Sequence, residues 1–227
     1  MRKSTFILTV VFCVLIGSKS ISQINDGKYI EQEEFLILKS DSIAFNLKYG
    51  KGIVQDLKGS GNYKIINNFL LVKTIPYQAK SHHAESKNCS GNVEITVNDL
   101  KGKPIIGANI EVLDNSGNLL FGVLSKEEGR ALIKRTNAMS KIVVSYLLFH
   151  KYTFNLSPNT NYHVFLDQER VENQTMAFKI NDITNHGIEL TLLSTNFEAQ
   201  ENISKELEKL YSEQKNCTQK INLTKAN

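Results

Sequence analysis

Short apolar runs separated by turn-forming residues fill the chain from Gly91 to Asp167, and this alternation does most to restrict the fold. In "GNVEITV", Val93, Ile95 and Val97 fall on every second residue, the period of a half-buried strand. "NDLKGKP" turns the chain, and "GANIEV" then sets Ala108, Ile110 and Val112 on one face. "DNSG" and "SKEEG" are turns by residue type and separate "NLLFGVL" from "RALIK". "KIVVSY", "KYTFNL" and "YHVFL" complete a set of seven short strands. Strands this short and this closely spaced predict an antiparallel β-sandwich. Gly102 supplies a positive-φ turn position, and Pro104 fixes φ at a strand entry where its missing N–H does no harm. Gly107 and Ala108 are small, which predicts close passage of a strand beside a turn.

The segment before this region is also strand-rich. "EFLILK", "IAFNLK", "GIVQDL", "GNYKII" and "FLLVKT" read as strands, with Asn67-Asn68 as a two-residue hairpin turn. Tyr77 to Gly91 lacks periodicity and reads as a linker. "MAFKINDITNHGIELTLL" reads as a hairpin around Asn185-His186-Gly187. In "NISKELEKLYSEQK", Ile203, Leu207, Leu210 and Tyr211 recur at helical spacing behind an Asn202 or Ser204 N-cap. This stripe is expected to pack on the protein.

The N-terminus reads as a secretory signal. Arg2 and Lys3 precede an apolar run from Phe6 to Ile16, and "GSKSISQ" places Ser20 and Ser22 before a cut at Gln23. The run is too short to cross about 30 Å of hydrocarbon as a helix, and no later segment is long and apolar enough to do so. Cys13 follows Phe12 rather than small residues, which argues against lipidation. Cleavage removes Arg2, Lys3 and Lys19 and no acid, taking the chain from +4 to +1. A balance so near zero says little about nucleic acid or anionic membranes, and no nucleic-acid partner is expected. Cys89 and Cys217 remain after cleavage. In an oxidising compartment they can pair, stay as two free thiols, or engage a partner. A bridge closing so long a loop is worth about 4–5 kcal/mol on the chain-entropy account.

Residues 92 to 167 resemble the carboxypeptidase-regulatory-like domain, a transthyretin-like seven-stranded sandwich. The resemblance rests on Asp99, Gly102, Pro104, Ile105, Gly107, Ala108, Ile110 and Val112 in that order, and on Val144-Ser145-Tyr146. Two turns depart from that pattern. Ser125-Lys126-Glu127-Glu128-Gly129 stands for the usual Thr-Asp-x-x-Gly, and Leu148 stands where glycine often precedes an aromatic, here Phe149. The resemblance implies an exported bacterial binding or spacer module that is not itself a peptidase. The flanking segments resemble small lipocalin-like meanders.

These readings predict an all-β protein. It comprises a seven-stranded antiparallel β-sandwich, a small antiparallel β-meander or partial barrel, and one C-terminal helix. The expected organisation is a signal peptide at 1–22, a split β-meander at 24–76 plus 174–195, a linker at 77–91 and the sandwich at 92–168. A helix at 202–215 and a solvated tail at 216–227 complete it. The rival arrangement is a simple series, with the 174–195 hairpin packed on the sandwich.

Catalytic motifs do not emerge. The chain has no Gly-x-Ser-x-Gly, Gly-x-x-x-x-Gly-Lys, Gly-x-Gly-x-x-Gly, His-Glu-x-x-His or Cys-x-x-Cys pattern. His82, His83, Glu85 and Cys89 form the one metal-like grouping, at a spacing that matches no standard site. Asp114 to Asn118 has calcium-friendly oxygens without the full loop and reads as a turn. His150, His163 and His186 lie in or beside strands as surface or core residues. The expectation is therefore a non-enzymatic exported binding or structural module in the periplasm or at the surface of a Gram-negative bacterium. It needs no cofactor or metal, and its partner is an unidentified protein, peptide or glycan of the cell envelope. The alternative is an envelope hydrolase whose site is assembled from scattered residues. Convergent His, Asp or Glu side chains in one deep cleft would favour the enzyme, and shallow clefts the binder.

Overall fold

The structure is a computed structural model describing residues 24–50, 55–88, 91–199, 202–214 and 220–226. Cys89 and Cys217, and the signal segment 1–22, lie outside the described residues. The protein is all-β with one helix among the described residues. Five strands lead the chain: β1 (Gly27–Glu31), β2 (Glu34–Lys39), β3 (Ser42–Tyr49), β4 (Gln55–Ile66) and β5 (Phe69–Thr74). Eight follow: β6 (His82–Lys87), β7 (Asn92–Asp99), β8 (Asn109–Leu113), β9 (Leu119–Leu124), β10 (Arg130–Lys134), β11 (Lys141–Ser145), β12 (Tyr152–Asn155) and β13 (Thr160–Leu166). The chain continues with β14 (Thr175–Thr184), β15 (Gly187–Ser194), helix α1 (Ile203–Gln214) and β16 (Lys220–Lys225).

Eight strands close a barrel in the order β1-β16-β15-β14-β5-β4-β3-β2. The hairpin β14–β15 thus pairs within the barrel, β14 beside β5 and β15 beside β16. Alternation explains the wall. Tyr29, Leu36, Phe45, Leu70, Phe178 and Leu190 turn inward and are almost fully buried, so side chains fill the interior. Two glycines make that filling fit. A Cβ at Gly59 would meet the Phe45 ring at 2.7 Å, and one at Gly61 would meet the Lys73 carbonyl oxygen at 2.0 Å.

This barrel corrects two expectations. It is closed rather than partial, and the residues that close it were read as a solvated tail at 216–227. In β16, Ile221 and Leu223 are buried between exposed neighbours and complete the interior. The flanking lysines had disguised a two-residue period.

Helix α1 covers part of the outer wall. The Asn202 side chain accepts from the Lys205 N–H at 3.2 Å, which makes it the N-cap. Leu207, with Ile203, Leu210 and Tyr211, packs against Phe69, Leu71, Ala177 and Leu193. Beneath it Lys179 is buried, its ammonium 4.3 Å from the Phe69 ring centre and 4.9 Å from that of Tyr211. Burial pushes the Lys179 ammonium below its ordinary range, against a smaller upward pull from Glu208.

The remaining strands form two four-stranded sheets, β10-β7-β13-β6 and β12-β11-β8-β9, that share one apolar core including Ile95, Val97, Ile110, Val112 and Val164. Three expectations change here. The linker read at 77–91 contains β6, which pairs antiparallel with β13 and adds an eighth strand to the seven expected. Every residue of β6 except His83 is exposed, so this edge strand had no apolar alternation to betray it. The pairing is not wholly antiparallel, since β13 runs parallel to β7. Gly107 has φ +82°, and its nearest neighbour is the Tyr146 ring at 4.0 Å, so conformation rather than space selects glycine there.

Candidate functional site

Two chain segments cross between the barrel and the two sheets, and they run side by side. The outgoing one leaves β5 after Thr74, and the returning one enters β14 at Thr175. Thr74 and Gln174 lock them together. The Thr74 N–H donates to the Gln174 carbonyl at 2.8 Å, and the Gln174 N–H donates to the Thr74 hydroxyl oxygen at 2.9 Å. Further along, the Tyr77 N–H donates to Glu172 Oε2 at 2.7 Å.

At the centre, the Tyr77 hydroxyl donates to Asp167 Oδ2 at 2.6 Å, and the Lys80 N–H donates to the same oxygen at 2.9 Å. Arg170 Nη2 donates to the Tyr77 hydroxyl oxygen at 3.0 Å, and its guanidinium carbon lies 3.6 Å over the centre of the Tyr77 ring. The returning segment also binds both neighbours. The Val171 N–H donates to the Lys58 carbonyl on β4, and the Glu169 N–H donates to the Leu148 carbonyl after β11. Buried beside this network, His150 Nε2 and Arg170 Nε have no hydrogen-bond partner.

The charges follow from this geometry. Burial pushes the Asp167 carboxyl upward, but the Tyr77 hydroxyl, the Lys80 N–H and the charges of Arg170 and Lys58 outweigh it, and the group sits below its ordinary value. Burial, then the hydrogen bond to Asp167, raises the Tyr77 hydroxyl. Burial, then the nearby Arg170 charge, lowers the Lys58 ammonium, although Asp167 pulls the other way.

A depressed carboxyl contributes stability that is present above its unfolded value, about 4, and is lost as pH falls through the lower folded value. Asp167→Asn is therefore expected to destabilise the protein by about 2–3 kcal/mol at neutral pH, because the Tyr77 hydroxyl and the Lys80 N–H lose a charged acceptor and Arg170 and Lys58 lose a nearby opposite charge. In acid well below pH 4 the two proteins should converge. Urea unfolding of both across pH checks this, and a difference that persists undiminished into acid counts against it.

Above the junction lies an open groove of about 460 Å³. Asp56, Leu57 and Lys58 of β4 form one wall, Tyr146 to Phe149 the other, and Gln168 to Val171 the floor. Leu147 is 78% exposed, and Leu148 is held at φ +65°. A left-handed conformation costs a leucine roughly 1–2 kcal/mol. This is the position where the sequence departs from the expected glycine.

No family model, curated protein or solved structure matches the chain.

The residues singled out from sequence are scattered by the fold. His82 turns outward and stacks on Phe165 at 4.9 Å, while His83 turns inward onto Phe154 at 4.5 Å with Nδ1 3.0 Å from the Tyr152 hydroxyl. They flank opposite faces of β6, and no three potential ligands converge among the described residues. His163 Nε2 lies 3.1 Å from Asn98 Oδ1, and His186 occupies the β14–β15 turn. His150 alone reaches the junction. Its ring centre is 6.1 Å from that of Tyr77, and its backbone N–H donates to the Asp167 backbone carbonyl at 2.8 Å. Asp114 closes its turn by accepting from the Ser116 and Asn118 N–H groups at 2.8 Å.

Sequence reasoning missed Tyr77, Asp167 and Arg170. Tyr77 and Asp167 are 90 positions apart, so local periodicity cannot relate them. The signal that could have served was Leu148, a bulky residue at a position suited to glycine.

Proposed function

We propose that this chain is a non-enzymatic exported module that binds an apolar group of an envelope protein or peptide in the groove over the crossing segments. One observation carries the reading. Leu148 keeps an unfavourable backbone conformation and, with Leu147 and Tyr146, presents apolar surface at the groove. Strain retained where glycine would relieve it is explained by contact with a ligand. Lys58 and Arg170 at the groove are balanced by Asp56 and Glu169, so apolar contact rather than net charge selects the ligand. Binding should therefore depend little on salt.

The chemistry at the junction supports binding over hydrolysis. A general base or nucleophile works best near the operating pH, whereas Asp167 is held ionised and Tyr77 protonated. The two-sheet unit is built from the residues that resemble a carboxypeptidase-regulatory-like domain, and it interrupts a closed barrel formed by the flanking segments. Export follows from the signal-like residues 1–22, and the oxidising compartment it implies suits a Cys89–Cys217 bridge.

The test uses the chain as bait against envelope extract, with Leu147→Ser and Leu148→Gly in parallel. Relief of strain is offset by about 0.4–1 kcal/mol of added unfolded-state freedom, so Leu148→Gly should unfold no earlier than the parent. A species held by the parent at high salt and released by both variants is expected. Equal capture by parent and variants, or turnover of the captured species, would overturn the reading.

A further inference from the structure

The two sheets leave four edge strands, β10, β6, β12 and β9, and three of them are blunted in familiar ways. β10 carries Arg130 and Lys134, β6 carries Glu85 and Lys87 with two histidines, and β12 is only four residues long. β9 differs. Its sequence is "LLFGVL", with no charged residue, and Leu119 and Leu124 are about 60% exposed. Its one irregularity is a bulge at Leu120, which has no partner in β8 because Leu119 and Phe121 pair with successive residues of that strand.

Gly122 at the middle of β9 has no explanation inside the chain. Its φ is not in the left-handed region, and a Cβ there would find only the Asn109 Oδ1 at 3.6 Å and the Ile110 carbonyl oxygen at 3.9 Å, both ordinary contacts. Glycine weakens a strand interior and often marks a bulge or close approach by a ligand or another backbone. The bulge of β9 falls at Leu120 rather than at Gly122, which leaves close approach as the reading for Gly122.

We infer that β9 pairs antiparallel with β9 of a second copy, about a two-fold axis through Gly122. An identical strand related by that axis must pair residues of the same face. Gly122 then opposes itself, Leu120 opposes Leu124 on the outer face, and Phe121 opposes Val123 on the core face. Aromatic and β-branched residues make favourable cross-strand pairs. A charge near the axis would face its own copy, and β9 alone among the longer edges has none. The glycine leaves room on the axis for the two Leu120–Leu124 pairs to close over it. The pairing joins two four-stranded sheets into one of eight and brings the second copy alongside a groove in which Ile106, Leu124 and Leu132 lie among Glu94, Lys126, Glu127 and Arg130. Such an interface is isologous and closed, so it ends at two chains.

Sedimentation equilibrium of the purified chain tests this, beside the double variant Leu120→Lys, Leu124→Lys. Both positions are exposed, so the variant should fold as the parent does. The parent is expected at a two-chain mass with an unfolding midpoint that rises with protein concentration, and the lysines should halve the mass while leaving a cooperative, concentration-independent unfolding transition. A short bismaleimide should link Gly122→Cys to its copy above the background set by the native cysteines, and should leave Thr153→Cys on β12 unlinked. A parent that sediments as one chain at its highest soluble concentration, or a two-chain mass unmoved by the lysines, overturns the inference.

Discussion

Replacing Gly61 by alanine is expected to unfold the barrel. The added methyl would lie 2.0 Å from the Lys73 carbonyl oxygen and 2.8 Å from the Thr74 Cα, both backbone atoms. Flexible side chains yield to such intrusions, but β5 cannot. Gly61 pairs with Thr74, and Thr74 is bound through its N–H and hydroxyl to Gln174. Moving it would open both the β4–β5 pairing and the lock on the crossing segments. Overpacking against side chains costs about 1–3 kcal/mol, so a clash with anchored backbone should exceed about 4 kcal/mol. That is a large fraction of the roughly 5–15 kcal/mol that holds an ordinary domain folded. Gly91→Ala is the control, because a Cβ there meets nothing within 4 Å. Urea denaturation should show the control near the parent and Gly61→Ala largely unfolded without denaturant. A Gly61 variant within about 1 kcal/mol of the parent would disprove the close approach.

Ending the chain after Gln214 should have a larger effect still, confined to one part of the molecule. β16 joins β15 through five registered pairs and β1 through two, so its loss leaves two unpaired edges. It also removes Ile221 and Leu223 from the interior, each worth about 2–5 kcal/mol when a core side chain is truncated. The two together come to about 4–10 kcal/mol before any lost strand pairing, which rivals the whole stability of a domain. The core shared by the two sheets includes no barrel residue, so it should survive. Amide exchange is the discriminating measurement. Protection should vanish in β1–β5, β14 and β15 and persist in β7, β8, β11 and β13. Protection lost everywhere would show that barrel and sheets fold as one cooperative unit.

The alternating runs were readable because their period is imposed by burial on one face. Val93-Ile95-Val97 and Tyr162-Val164-Leu166 turn the same residues inward in the structure that sequence alone turned inward. β16 carried the same signal in Ile221 and Leu223, and charged flanks hid it. β6 carried none, since an edge strand exposed along most of its length has no apolar face to show. The parallel pairing of β13 with β7 was unreadable for another reason. Periodicity tells which way a side chain points, not which strand lies beside it. The junction is the extreme case. Tyr77, Asp167 and Arg170 are ordinary residues in aperiodic segments, and only the pairing of distant strands, β6 with β13 and β5 with β14, brings them together. The needs of Gly59 and Gly61 depend in the same way on what approaches them from elsewhere in the chain.

Without residues 75–174 the barrel would be a plain up-and-down meander, because β5 and β14 are neighbours in it. The whole two-sheet unit thus occupies the place of a hairpin loop. A flexible loop of that length would make β5–β14 pairing a slow, non-local event in folding. A pre-folded insert changes the kinetics. Once β6 and β13 have paired, the segments leading to Thr74 and Gln174 emerge together, and the two barrel strands need only zip outward from that point. The order of assembly is then inner unit first and surrounding barrel second, although the barrel's first strands leave the ribosome before any of the insert.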